Sequence, residues 1–152
     1  DSLVMSLPKD YPRKIDDIEK ISDALNCQVI EVFRGIDDFL AIVKDESIVE
    51  TMNPNIEKIA ELDSRGLIVS AKGETTDFTS RVFGPNVGVD EDPVTGSAHA
   101  LLATYWSDVL NLPKMKARQA SKRGGELICE VLENNVEITG KATLYLQGEI
   151  YF

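Results

Sequence analysis

Cysteine, histidine and long apolar runs are what this sequence is short of. Its two cysteines, Cys27 and Cys129, lie far apart and show no CxxC or metal-type spacing. They can close one bridge at most, which excludes a disulfide-built scaffold. Both read as free thiols in a reducing compartment, so the expected location is cytoplasmic. A single histidine without clustered thiols argues against a zinc centre, and no metal is expected. No apolar run approaches the roughly 18–20 residues of a membrane span, which removes a transmembrane reading. Basic residues are also in the minority: 16 Lys and Arg against 26 Asp and Glu give a net charge of −10. The imbalance is −7 over residues 1–76 (9 basic, 16 acidic) and −3 over the rest (7 basic, 10 acidic). A polyanion meets a repulsive field unless the basic residues are concentrated, so nucleic-acid binding is disfavoured.

What is present suits an ordinary folded chain. With 152 residues, 43% of them hydrophobic and 28% charged, the composition predicts one domain over residues 1–152 with a substantial core. Leu3–Leu7 alternates and stops at Pro8, as a strand does. Across Arg13–Asn26, Ile15, Ile18, Ile21 and Leu25 form one apolar stripe of an amphipathic helix. Gln28–Phe33 and Phe39–Val43, joined by Gly35-Ile36-Asp37-Asp38, read as a hairpin. A second helix is expected from Asn53-Pro54 to near Gly66, with Asn as cap and Pro at the first helical position. Leu67–Ala71 and Asp77–Phe83 are strands, and the longest helix runs from about Gly96 to Leu110. Met115–Ser121, Glu126–Leu132, Val136–Thr139 and Ala142–Gln147 then form a meander with turn residues between them. Helices do not alternate strictly with single strands, so the fold class is α+β rather than a parallel doubly wound sheet.

One stretch stands apart: Gly88-Val89-Asp90-Glu91-Asp92-Pro93-Val94-Thr95-Gly96-Ser97-Ala98-His99. A helix N-terminus carries unpaired N–H groups and partial positive charge. Thr95 or Ser97 can cap it, and Gly96 removes a side chain that would keep a carboxylate or phosphate from the N–H groups. Asp92 stands five residues before Ser97 as an acceptor, or as a base if its pKa is raised. The helix that follows is apolar nearly all round, which predicts burial inside a curled, barrel-like sheet. An acidic loop before an ordinary capped helix remains an equal reading of these residues. The P-loop pattern and the G-x-S-x-G elbow are both absent, so neither nucleotide binding nor a serine nucleophile is indicated. His99, one turn into the helix, is expected to be packed and hydrogen-bonded. Lys114, Lys116, Arg118, Lys122 and Arg123 alternate with Met115, Ala117 and Ala120, as exposed residues of a strand do. The other reading of that stretch is an anion-steering surface.

Asp92-Pro93-Val94-Thr95-Gly96-Ser97-Ala98-His99 with Tyr105-Trp106 resembles the PhzF-like phenazine-biosynthesis isomerase family. Ser80-Arg81-Val82-Phe83-Gly84-Pro85 and Gln119-Ala120-Ser121-Lys122-Arg123-Gly124-Gly125 carry the same resemblance, in the same order, over roughly residues 80–150. Residues 3–8 look like the strand that opens the family's C-terminal half. The resemblance implies a diaminopimelate-epimerase-like fold: two similar halves, each a curled mixed sheet around a central buried helix, with the active site between them. It implies cofactor-independent acid/base isomerisation of a small cyclic amino-hydroxy carboxylic acid. Asp92 then corresponds to an active-site residue contacting substrate, counted here as catalytic, and Gly96 and Ser97 to the pair that holds the ligand. Arg81 falls in a family motif without an assigned role.

The departures are informative as well. The family's principal acid/base glutamate and a Gly-His pair lie in its N-terminal half, and nothing here matches them. The chain resembles the second half of a protein about twice its length, and its start at Asp1 rather than Met fits that expectation. Related racemases use a cysteine at the start of this helix, where Thr95-Gly96-Ser97 stands here, so a two-thiol mechanism is not implied. The expected partners are a small-molecule carboxylate substrate and the N-terminal half, and the expected assembly is a homodimer. A non-catalytic binding protein on the same half-fold is the rival reading.

Overall fold

The computed structural model describes residues 2–151. Ten strands, four α-helices and one 3-10 turn follow in the order β1 (Ser2–Pro8), β2 (Arg13–Ile15), α1 (Ile18–Leu25), β3 (Glu31–Arg34), β4 (Asp38–Ile42), α2 (Glu46–Thr51), α3 (Ile56–Ala60), β5 (Gly66–Lys72), β6 (Phe78–Gly84), the 3-10 turn Pro85–Val87, β7 (Val89–Asp92), α4 (Gly96–Leu110), β8 (Lys114–Gln119), β9 (Gly125–Val131) and β10 (Asn135–Lys141). All strands join one mixed sheet in the order β1-β10-β9-β8-β6-β5-β4-β3-β2, with β7 added beside β6. The β4–β5 and β6–β8 pairs are parallel and the others antiparallel. This is an α+β architecture, as the element order predicts.

Two cores lie on opposite faces of the sheet. α4 packs on one face against β1, β8, β9, β10 and β4. Its Leu101, Leu102 and Trp106 meet Leu40, Ile68, Phe78, Met115, Leu127 and Ile138. On the other face α1, α2 and α3 cover Val32, Phe39, Ala41, Leu67, Val69 and Phe83. Adjacent positions of β4 and β5 therefore face different cores, so β4 is buried throughout and β5 from Gly66 to Ala71, rather than on alternate residues. The barrel-like closure expected around α4 does not occur: β1 and β2 end the strand order and do not pair with each other. The second layer of helices explains this, because the β2–β5 portion must stay open enough to carry an apolar layer on each face.

Several element boundaries differ from the sequence expectation. The first helix begins at Ile18, because Arg13–Ile15 pair with Val32–Arg34 as a strand. α2 was not expected at all. It is six residues long and starts where the Asp45 carboxylate accepts the Ile48 N–H at 3.2 Å. α3 is capped by Asn55, whose side chain accepts the Lys58 N–H at 3.1 Å, so the cap lies two residues beyond Asn53 and the helix ends well before Gly66. The acidic run is a strand, β7, rather than a loop. The strand expected at Ala142–Gln147 is not formed, and residues 142–151 are exposed and without regular structure. Both edges of β10 are taken by β1 and β9, so the following segment cannot extend the meander by pairing back onto β10. By contrast α4 starts at Gly96 and ends at Leu110, where Asn111 adopts the left-handed conformation (φ 53°) that stops helices.

Candidate functional site

The structure brings Asp92, Gly96 and Ser97 into one corner, and residues from β8 hold that corner in shape. β6 runs to Gly84, the chain reverses through Pro85–Val87 with Gly88 at φ 83°, and β7 returns antiparallel to β6 with Asp92 opposite Val82. A positive φ of this size is costly for residues other than glycine, which is why Gly88 stands at the turn. Pro93 and Val94 then lead into Thr95 and α4. Asp92 and Gly96 are partly buried and Ser97 is exposed, so the corner opens to solvent.

Thr95 occupies the N-cap position but does not cap. Its hydroxyl donates to the Asp92 carboxylate at 2.7 Å, and α4 begins without a side-chain cap. Of the two residues that could cap the helix, Thr95 or Ser97, Thr95 stands at the N-cap position and makes no cap bond. The hydroxyl is held instead by a charge-assisted hydrogen bond to the neighbouring carboxylate. Gln119, fully buried at the end of β8, clamps the same turn. Its side-chain oxygen accepts the Thr95 N–H at 2.8 Å, while its amide nitrogen donates to the Asp92 carbonyl at 2.7 Å and to Thr95 Oγ1 at 3.2 Å. Ser121 adds a donor bond to the Pro93 carbonyl at 2.8 Å. Gln119 and Ser121 belong to the third sequence motif but received no role from sequence reasoning. Only the parallel β6–β8 pairing shows that β8 ends beside the β7–α4 turn.

The space that Gly96 leaves is occupied in part. A Cβ at this position would run into the Sδ-methyl end of Met5 on β1, so a thioether lies over the helix start. Leu3, Val4 and Met5 on this edge are 65%, 60% and 44% exposed, an apolar rim next to the corner.

His99 is buried as expected. Its Nδ1 lies 2.7 Å from the Thr95 carbonyl, to which it must donate. Nε2 is then left as a buried acceptor without a partner among the described residues. Burial pushes the His99 pKa down, against the opposing effect of the Thr95 bond, so the ring is held neutral. Of the basic stretch, Lys114 pairs with Glu130 at 2.6 Å, and Arg118 pairs with Glu50 at 2.5 Å and Glu46 at 3.3 Å. Lys114 and Lys116 are exposed while Met115 and Ala117 are buried, as the alternation predicts. Both cysteines are free, and burial drives the Cys129 thiol up to about 12. Among the described residues no group of His, Cys, Asp and Glu could hold a metal ion, and no helix is long and apolar enough to cross a membrane.

Comparison with known proteins agrees with these motifs. The phenazine biosynthesis-like protein (PhzC-PhzF) family model matches residues 8–148. The chain belongs to this family. It is 41% identical over 151 residues to an uncharacterized isomerase of Pseudomonas aeruginosa, covering 99% of this chain and 58% of that protein. It is 36% identical to the human phenazine biosynthesis-like domain-containing protein, again covering 99% of this chain and 59% of the relative. A crystal structure of a PhzF-family phenazine biosynthesis protein from Enterococcus faecalis superposes with a TM-score of 0.91 at 39% identity, over 99% of this chain and 58% of that one. The chain thus spans a little under three fifths of the length of these relatives.

Proposed function

We propose that residues 1–152 form one domain, equivalent to the C-terminal domain of a two-domain PhzF-like isomerase, and supply one wall of its active site. The substrate is a small cyclic amino- or hydroxy-carboxylic acid. Its carboxylate docks on the N–H groups of Gly96 and Ser97 at the start of α4, and Asp92 contacts another part of the substrate from the end of β7. The reaction moves a proton between carbon atoms: a carboxylate from the remaining portion of the longer protein removes it and returns it elsewhere, without metal or organic cofactor. The observation that carries this reading is the Thr95 hydroxyl turned to Asp92, which leaves the first turn of α4 without a side-chain acceptor. An acceptor from outside is favoured there, since helix N-termini attract anions through both N–H groups and dipole. The relatives' longer chains and the exposed rim of β1 are consistent with a second wall beside this corner.

The test compares residues 1–152 with a longer protein that restores the length of the relatives. Solvent deuterium should enter a cyclic amino-hydroxy acid in the presence of the longer protein and not with residues 1–152 alone. Asp92→Asn in the longer protein should lower the rate by about 10- to 100-fold, the equivalent of losing a hydrogen bond to a charged group. Turnover by residues 1–152 alone would overturn the half-site assignment. Binding without turnover in the longer protein would make it a non-catalytic binder.

A further inference from the structure

A threonine at an N-cap ordinarily accepts the N–H of the second or third helical residue. At α4 these are Ser97 and Ala98, yet no side-chain cap forms. The reason lies on β8. The two N–H groups of the Gln119 amide are both committed, one to the Asp92 carbonyl at 2.7 Å and one to Thr95 Oγ1 at 3.2 Å. Its oxygen is held by the Thr95 N–H at 2.8 Å, so the amide cannot rotate without breaking all three bonds. Thr95 Oγ1, receiving a hydrogen from Gln119, must send its own proton elsewhere, and Asp92 Oδ2 at 2.7 Å takes it. Gln119 itself is fully buried, so water does not reach these bonds from its side.

We propose that Gln119 is a positioning residue of this site: by restraining the Thr95 hydroxyl it keeps the first turn of α4 uncapped and fixes the orientation of the Asp92 carboxylate. It does both through one threonine, and it touches no ligand itself. Losing Gln119 frees the hydroxyl to turn and cap the helix, which closes the N–H groups that an incoming carboxylate needs. The inference deepens the carboxylate-site reading above and rests on it for the identity of the ligand, though not for the state of the helix end.

The experiment uses ¹⁵N-labelled residues 1–152, with benzoate as the probe. In the wild type the exposed Ser97 amide exchanges quickly and benzoate shifts the Gly96 and Ser97 amides. In Gln119→Met the Ser97 amide should exchange at about a fifth of the wild-type rate or slower, as an N-cap bond forms, and benzoate affinity should fall about tenfold. Adding Thr95→Ala removes the hydroxyl that caps. Fast Ser97 exchange and benzoate affinity within about threefold of the wild type should then return, although the Gln119 bonds are still missing. A purely structural Gln119 gives no such rescue. Should Gln119→Met fail to fold, Gln119→Leu also removes both donors without adding an acceptor, and it carries the same expectations. Unchanged or faster Ser97 exchange in the folded Gln119 variant, or no rescue by Thr95→Ala, overturns the proposal. If wild-type amides do not respond to benzoate, the carboxylate-site reading falls instead, and the Ser97 comparison still decides the role of Gln119.

Discussion

Arg81 grips Glu91 with two nitrogens, Nε at 2.6 Å from one carboxylate oxygen and Nη2 at 3.0 Å from the other. Its third nitrogen donates to the carbonyls of Val49 at 3.3 Å and Met52 at 2.9 Å, and the guanidinium lies 5.0 Å from the centre of the Phe83 ring. One side chain on β6 thus ties β7, which carries Asp92, to the end of α2. The sequence motif around Arg81 gives no hint of this, because its hydrogen-bond partners come from two other segments, β7 and the end of α2. Lysine keeps the charge but lacks the planar fork. Arg81→Lys should therefore cost about 2–3 kcal/mol in urea unfolding, as expected when a largely buried, hydrogen-bonded ion pair loses its geometry. A loss under about 0.5 kcal/mol would show the contact to be incidental.

The only histidine makes a clean pH probe. His99 is fully buried and its folded pKa is lowered by that burial. The unfolded chain takes up a proton near the ordinary value of about 6.5, while the folded chain resists it to lower pH. More protons are then bound by the unfolded state in that window, so stability is complete above about 6.5 and declines as pH falls below it toward the folded value. His99→Gln should flatten this slope between pH 6.5 and the acid range. A wild-type stability that is flat or rises on acidification through that range would contradict the assignment.

Trp106 donates its indole N–H to Ser70 Oγ at 2.9 Å, and Ser70 in turn donates to the Thr79 carbonyl at 2.8 Å. Both side chains are buried, and the indole stacks on Phe78 at 6.0 Å. Ser70→Ala leaves the indole N–H without its acceptor, at a cost of about 1–3 kcal/mol. The fluorescence of this sole tryptophan should shift with it. An unchanged midpoint and spectrum would mean that water replaces the serine.

Gly96→Ala places a methyl group against the flexible end of Met5 rather than against backbone. The thioether can move, and alanine is the better helix residue, so folding stability should change by less than about 1 kcal/mol. The Met5 methyl resonance should move clearly, and under the proposed function the benzoate response of the Gly96 and Ser97 amides should weaken. A large destabilisation would mean that Met5 is locked in place.

Most of the element types can be read from local pattern. α4 is the clearest: its apolar residues all round predict burial, its bounds follow from Gly96 and from the residues before Pro113, and Ala98–Trp106 are all buried. α2 and β7 are the converse. Six residues beginning at Glu46 are too short for periodicity to register, and Val89–Asp92 looks like a polar loop until it is laid beside β6. Residues 142–147 carry a strand-like alternation, yet β10, the strand on which they would turn back, already has β1 and β9 on its two edges.

The sequence by itself determined the α+β class, the buried fourth helix, the acidic and cysteine-poor character of the chain, and the motifs that mark its family. These follow from periodicity, turn chemistry and residue order, all of which are local. Tertiary structure alone decided that the sheet stays open with a core on each face, that Arg81 binds Glu91, and that Gln119 holds Thr95 to Asp92. Each of these depends on which strands become neighbours, above all the parallel pairing of β6 with β8 across the intervening β7 and α4. Side chains far apart in the chain meet only through that pairing, and their hydrogen bonds set the state of the helix end at which Asp92, Gly96 and Ser97 converge.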